Sequence, residues 1–384
     1  MTQTRTEVAI IGGGVMGSSI AYHLARRGVE VTLLERGDIP CAASAASAGG
    51  VRQQGRDLRE LPLAVASIAR WEHLEEELGA DIHYRREGHV TVTENPDDVA
   101  DFLPWMENQR QLGLEIDLVE GDDLRELIPG IGPQVRAGAY SPSDGHANPI
   151  LTTQAFAEAA KRFGANIRSH TSVTAIEHEG GNVTGVVTDD GQIACDMVVL
   201  AAGAWSMELA ASLGVTLPAV ARAPQMIATT PMPALLHQVV GARGRMLSLK
   251  QVPSGNYVIG GGWPGTVHLD RRIALPWYGS VRGSMTDSSA IFPELLKARV
   301  ERVWVGIEAQ TVDEVPILGP LPGISGLTVA TGFSGHGFAL SPIIGQVMSE
   351  LIIDGKPSIE ISQLGFARFE GMEMPEEWRE LRAG

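Results

Sequence analysis

The sequence predicts a mixed α/β fold. It has a parallel sheet covered by helices and assembled from three separate runs of chain, with an α+β second domain around an antiparallel sheet. Three observations carry this. Apolar runs at residues 8–11, 197–200 and 327–331 each lead through glycine into a helical pattern, as in the strand–turn–helix units of a parallel sheet. These units stand at the beginning, middle and end of 384 residues. The stretches between them alternate apolar and polar residues, as half-buried antiparallel strands do. The economical division is a first domain of residues 1–80, 144–212 and 311–384, interrupted by a second domain of residues 81–143 and 213–310, with a site where the two meet.

The elements follow in order. A strand at residues 8–11 turns at Gly12, Gly14 and Gly17 into a helix, and a second strand covers residues 30–34. Small residues at 41–50 form a loop. A helical apolar spacing then runs from Leu61 through Leu78. Residues 88–93 alternate as a strand, and a helix begins near Pro96 and runs over 97–112. A short helix at 122–127 stops before Pro129. The helix at 149–163 has Pro149 in its first turn and Gly164 just past its end. Residues 167–177 and 183–188 read as an antiparallel ribbon. Strands are expected at 226–230, 257–260 and 303–307 and a helix at 288–298. The strand at 327–332 passes through Phe333 and Gly337 into a helix ending near Ile353.

The first turn has a chemical meaning. In Gly-x-Gly-x-x-Gly, Gly12 permits the tight turn, Gly14 lets a pyrophosphate approach the backbone, and Gly17 lets helix and strand pack closely. The helix start offers free N–H groups and a positive dipole end to phosphate. Glu35, at the end of the second strand, is placed to accept hydrogen bonds from both ribose hydroxyls and to repel a 2′-phosphate, which argues against NADP. The motif predicts an adenine dinucleotide without choosing between FAD and NAD.

Composition bounds the rest. A net charge of −16 disfavours nucleic acid and anionic membranes as partners. Cys41 and Cys195 are far apart and lack metal spacing, so neither a metal site nor a disulfide framework is expected, and two buried thiols are the ordinary account. Without a leader-like or membrane-length apolar segment, the expected location is cytoplasmic.

With these blocks in order, the chain resembles the FAD-dependent amine and amino-acid oxidoreductases of the D-amino-acid oxidase superfamily, closest to the branch of the sarcosine oxidase β-subunit and dye-linked proline dehydrogenase. The resemblance spans nearly the whole chain. It implies noncovalent FAD held at its ADP end by Gly12, Gly14, Val15, Met16, Gly17, Glu35 and Arg36, with Val173 at the adenine. A loop carrying Ser44, Ser47, Ala48, Gly49, Gly50, Val51 and Arg52 would run beside the isoalloxazine. Ala202, Gly203 and Trp205 match a second FAD motif. Gly332, Ser334, Gly335, His336, Gly337 and Phe338 match the glycine loop at the flavin pyrimidine. A helix opening there aligns N–H donors with the negative charge of reduced flavin.

The departures bear on substrate. Glycine and D-amino-acid oxidases of this family carry a carboxylate-gripping arginine where this chain has Glu308 in Trp304-x-Gly306-x-Glu308. Members that bind flavin covalently use a cysteine at the place of Gly306. Val312 replaces the usual proline between Thr311 and Asp313. The catalytic candidates are Arg52, as cation near the flavin or carboxylate grip, Glu308, as acceptor for the substrate ammonium, and His336, at the flavin loop. Arg222 reads as structural and Lys250 as solvent-facing, while Trp263, Tyr257 and Trp277 suit either a pocket or the core.

The resemblance implies oxidation of the C–N bond of a small secondary amino acid or N-substituted glycine. Hydride goes to flavin, the imine hydrolyses, and hydrogen peroxide forms where oxygen is the acceptor. The alternatives are a dehydrogenase subunit with a redox partner, a D-amino-acid or glycine oxidase, and a flavin-binding subunit without catalysis. Oligomeric state leaves no mark in the sequence.

Overall fold

The structure is a computed structural model that describes residues 4–373 and Trp378. The ends of the expected first domain, residues 1–3, 374–377 and 379–384, lie outside the described residues. A mixed sheet runs in the order Ile317–Pro320, Leu327–Thr331, Gly191–Leu200, Thr4–Ile11, Val31–Leu34 and Asn166–Arg168. Its last five strands are mutually parallel, and Ile317–Pro320 joins antiparallel. The central strand is buried on both faces. Val8 and Ile10 enter one core with the helices Val15–Arg26, Leu61–Trp71, Pro149–Arg162 and Ser341–Asp354. Ala9 and Ile11 enter a second core with Ser206–Ser212. This is why the run at 8–11 is apolar without alternation.

A second sheet has the order Val300–Val305, Gln225–Thr229, Tyr257–Gly260, Ser248–Gln251, Val239–Ala242, His89–Thr93, Ala137–Ser141 and Asp117–Glu120. All its neighbours are antiparallel except Val239–Ala242 with His89–Thr93. Period-2 geometry gives it two unlike faces. Ile227, Ile259, Leu249, Val240, Val90 and Val92 pack into an apolar core. The paired positions Trp304 and Met226, Gly260 and Ser248, and Gly241 and Thr91 turn the other way. That face leans on the loop of residues 46–54. Trp304 Nε1 donates to Ala46 O at 3.0 Å, and Gln54 Nε2 donates to Ala139 O at 2.8 Å. Thr91 donates to Gln54 Oε1, which His89 also meets.

Several expected elements move. The ribbon expected over 167–177 is two strands, and Asn166–Arg168 belongs to the parallel sheet beside Val31–Leu34. The helix expected over 288–298 is Tyr278–Ile291, followed by a 3₁₀ turn at Pro293–Lys297. Its buried face is Ser280, Ser284, Ser288 and Ile291, a stripe that hydrophobic spacing does not reveal. The helical pattern after Leu61 breaks into Leu61–Trp71 and Leu74–Leu78. Cys195 is buried as expected, but Cys41 is exposed. Among the described residues no helix is long and apolar enough to cross a membrane, and no cluster of His, Cys, Asp or Glu suits a metal.

Candidate active site

The cradle for a dinucleotide forms where the parallel strands end. Gly12 has φ +111°, and a Cβ there would lie 2.4 Å from Ala201 O, so only glycine fits beside the strand ending at Leu200. The helix Val15–Arg26 opens with no acidic residue in its first turn and no cap from Gly14. Ser44 accepts from Val15 N at 3.0 Å. A helix start free of acidic side chains suits an anion, and its remaining N–H donors fit a pyrophosphate. Glu35 accepts from Gly13 N at 2.7 Å and Gly37 N at 2.9 Å, while Cys41 donates to it at 3.2 Å. Thr171 N donates to Glu35 O, which brings the segment before Val173 alongside. Arg36 stacks 3.6 Å over the ring of Trp205, whose own N–H is buried without a partner among the described residues. Ala202 and Gly203 join this end through Thr331 Oγ1, which donates to Gly203 O.

The far end of the cradle gathers the remaining predicted residues from three parts of the chain. Gly50 and Val51 pair with His146 and Gly145, while Ser47 accepts from Gly49 N and Ala48 lies between. Met16 approaches Gly337, so the first loop touches the last. Phe338 packs 5.2 Å from Trp71. Ser334 Oγ and Gly332 O are hydrogen bonded at 3.0 Å. A Cβ at Gly306 would sit 2.4 Å from Ala46 Cβ, which leaves no room for a flavin-linking cysteine.

Arg56, a residue the sequence reading passed over, ties these loops. Its guanidinium donates to Arg52 O, His336 O and Glu60. His336 turns its ring toward Glu60, with Nδ1 3.2 Å from the carboxylate. Burial lowers the His336 pKa, and the Glu60 contact only partly offsets this. The ring is therefore committed to supporting the loop. Arg52 gives one nitrogen to Gln54 O at 2.7 Å. Burial and the nearby Arg56 bring it down to about 10, still well above neutrality.

Glu308 opens the strand Glu308–Thr311, half-buried beside Gly335, where a Cβ would lie 3.4 Å from its carboxylate. Burial pushes it up to about 7, opposed only by the backbone of Gly335. Arg52 lies within electrostatic reach of His336, and Glu308 stands beside Gly335, the residue before His336. Asp144, buried behind the loop, accepts from both Gln53 and Gln54, and burial raises it despite those bonds.

Lys250 corrects the sequence reading. It is 5% exposed, on the sheet face that leans on the loop of residues 46–54, and burial lowers it to about 7. Of the aromatic candidates, Tyr257 is core, Trp277 is exposed, and Trp263 is tied to Asp287 at 3.0 Å. Arg222 donates to Gln310 and lies over Trp378, as a structural residue would.

The chain is similar to known proteins over most of its length. Glycine oxidase of Geobacillus kaustophilus is 30% identical over 96% of the chain and 98% of its own length. The 4-methylaminobutanoate oxidase (formaldehyde-forming) of Paenarthrobacter nicotinovorans is 29% identical over 96% of the chain, which spans 46% of that longer protein. The crystal structure of L-proline dehydrogenase from P. horikoshii superposes with a TM-score of 0.91 at 29% identity, covering 97% of this chain and 100% of that one. The family model for FAD dependent oxidoreductases (DAO) matches residues 7–351, and the chain belongs to that family.

Proposed function

We propose that the protein oxidises the C–N bond of a small secondary amino acid or N-substituted glycine, using FAD bound noncovalently across residues 1–80, 144–212 and 311–384. The observation that carries this is Glu308, a half-buried carboxyl beside the loop that would face the flavin, with no cationic partner among the described residues. An acid ionising near neutrality suits an ammonium ligand. It holds the amine by charge and takes its proton, freeing the nitrogen lone pair that C–N oxidation needs. Arg52, charged at working pH, balances negative charge accumulating at the ring edge. Bound FAD supplies the two-electron acceptor for the hydride leaving the carbon next to nitrogen. The relatives named for glycine, 4-methylaminobutanoate and L-proline support an amino-acid substrate.

Anaerobic mixing of the yellow holoprotein with sarcosine, proline, iminodiacetate, 4-methylaminobutanoate and D-alanine tests this. Secondary amino acids are expected to bleach the flavin. Bleaching by D-alanine alone would overturn the substrate class. A yellow protein that no amine bleaches would be a binding subunit without catalysis, and a protein that takes up no flavin would sink both readings. The rate at which air restores the colour separates an oxidase from a dehydrogenase that passes electrons to a partner.

A further inference from the structure

The cleft face of the second sheet carries a charge that the chemistry above does not use. Lys250 sits within Ser248–Gln251, opposite Val258, with Ser248 and Gly260 next along the same face. It is 5% exposed, and among the described residues it has no hydrogen-bond or ion-pair partner. A buried amine without an acid is costly unless something else completes it. The charged and titratable groups around it come from neighbouring elements. His146, on the strand paired with Gly50, feels Lys250 and Arg85, and burial with these charges lowers it to about 3. His89, two strands away, is held neutral by burial and by Arg52.

Arg52 gives one nitrogen to Gln54 O at 2.7 Å and is assigned above to the flavin edge. Arg56 serves Glu60, Arg52 O and His336 O, and Arg222 serves Gln310. Glu308 and Lys250 form no ion pair with each other. Trp304, four residues before Glu308, donates to Ala46 O, and His146, which feels Lys250, pairs with Gly50, so both groups belong to elements packed on the loop of residues 46–54: one acid and one amine without a charged partner among the described residues, the complement of a zwitterion.

Building on the amine-oxidation reading, we propose that Lys250 anchors the substrate carboxylate while Glu308 holds the amino end, so that the enzyme selects amino acids over simple amines. The proton inventory follows. Near neutral pH both groups can sit uncharged in the free cleft. A zwitterion ionises one and protonates the other, so its binding takes up almost no net proton. A carboxylate without an amine makes Lys250 alone protonate, and that proton comes from solvent.

Propanoate is the probe, titrated into oxidised FAD holoprotein near pH 8. The flavin spectrum reports occupancy, and calorimetry in buffers of different ionisation heat counts protons. Uptake approaching one proton per site is expected. Lys250→Met should weaken binding about tenfold or more and abolish the uptake. Lys250→Arg should keep binding but take up no proton, because arginine is already charged. It also carries the test if the methionine variant fails to fold. Propanoate that does not bind, binding by wild type without proton uptake, or unchanged binding and uptake in Lys250→Met would each overturn the anchor. Bleaching by amino acids without propanoate-linked uptake keeps the reaction and removes Lys250. Uptake without bleaching by any amine does the reverse.

Discussion

At the scale of single residues, Glu308 and Lys250 show what a sequence displays and what it hides. Glu308 was legible as a departure from the pattern the resemblance implies, an acid where that pattern expects arginine. Lys250 was not. A polar residue alternating with Leu249 reads the same whether its face meets water or an enclosed cleft, since period-2 patterning marks a polar face without saying what covers it. Glu308 yields two linked predictions. It ionises near 7 when folded and near 4.5 when unfolded, so the folded chain binds more protons between those values. Stability then falls as pH rises through that window and is level above it. Glu308→Gln should raise the unfolding free energy near pH 8 by about 2 kcal/mol and leave it almost unchanged near pH 4, as denaturant titration at the two pH values would show. The same variant should cost about a hundredfold in kcat/KM for an amine substrate and lose the rise of that parameter through neutral pH. At the other end of the cofactor, Glu35→Ala should weaken FAD retention about tenfold or more, measured as flavin lost on dilution, and unchanged affinity would count against the ribose role.

At the scale of elements, the strand–glycine–helix units were the readable part, because sterics leave glycine little competition at a close approach. A Cβ on Gly17 would fall 1.9 Å from Gly12 O. Gly17→Ala must push the helix Val15–Arg26 off its strand, and a loss of about 3 kcal/mol or more in thermal or denaturant unfolding is expected, with poor FAD uptake in the protein that survives. The helix Tyr278–Ile291 was misplaced for an equally physical reason. It buries serines at spacing four, and Ser280 closes onto Pro264 O at 2.6 Å, so its packed face carries no apolar signal. The knot of Arg56, Glu60 and His336 was invisible because its partners lie up to 280 residues apart.

At the scale of the whole molecule, buried histidines set the acid response. Burial lowers His23 to about 4 and His146 to about 3, and holds His89 well below its usual range. Below about 6.5 the unfolded chain binds protons that the folded chain refuses, so stability is lost as pH falls from there. Glu308 and Asp144, both raised by burial, act the other way over part of that range. His336 is lowered too, and the histidines outnumber the raised carboxyls, so the net expectation is a stability that falls as pH drops below about 6.5. Unfolding midpoints between pH 5 and 7 would show it, and His23→Gln should flatten the slope. The strand order has a further effect, felt while the chain is being made. Thr4–Ile11 lies at the middle of its sheet, between Val31–Leu34 and Gly191–Leu200. On the ribosome its first neighbour emerges almost at once, but its second follows only after more than 150 residues, roughly 10–30 s at ordinary elongation rates. For that interval a strand ending in the apolar run of residues 8–11 presents an open edge to the cell. Chaperone occupancy on the nascent chain should therefore rise after residue 34 and fall once residue 200 is clear of the exit tunnel.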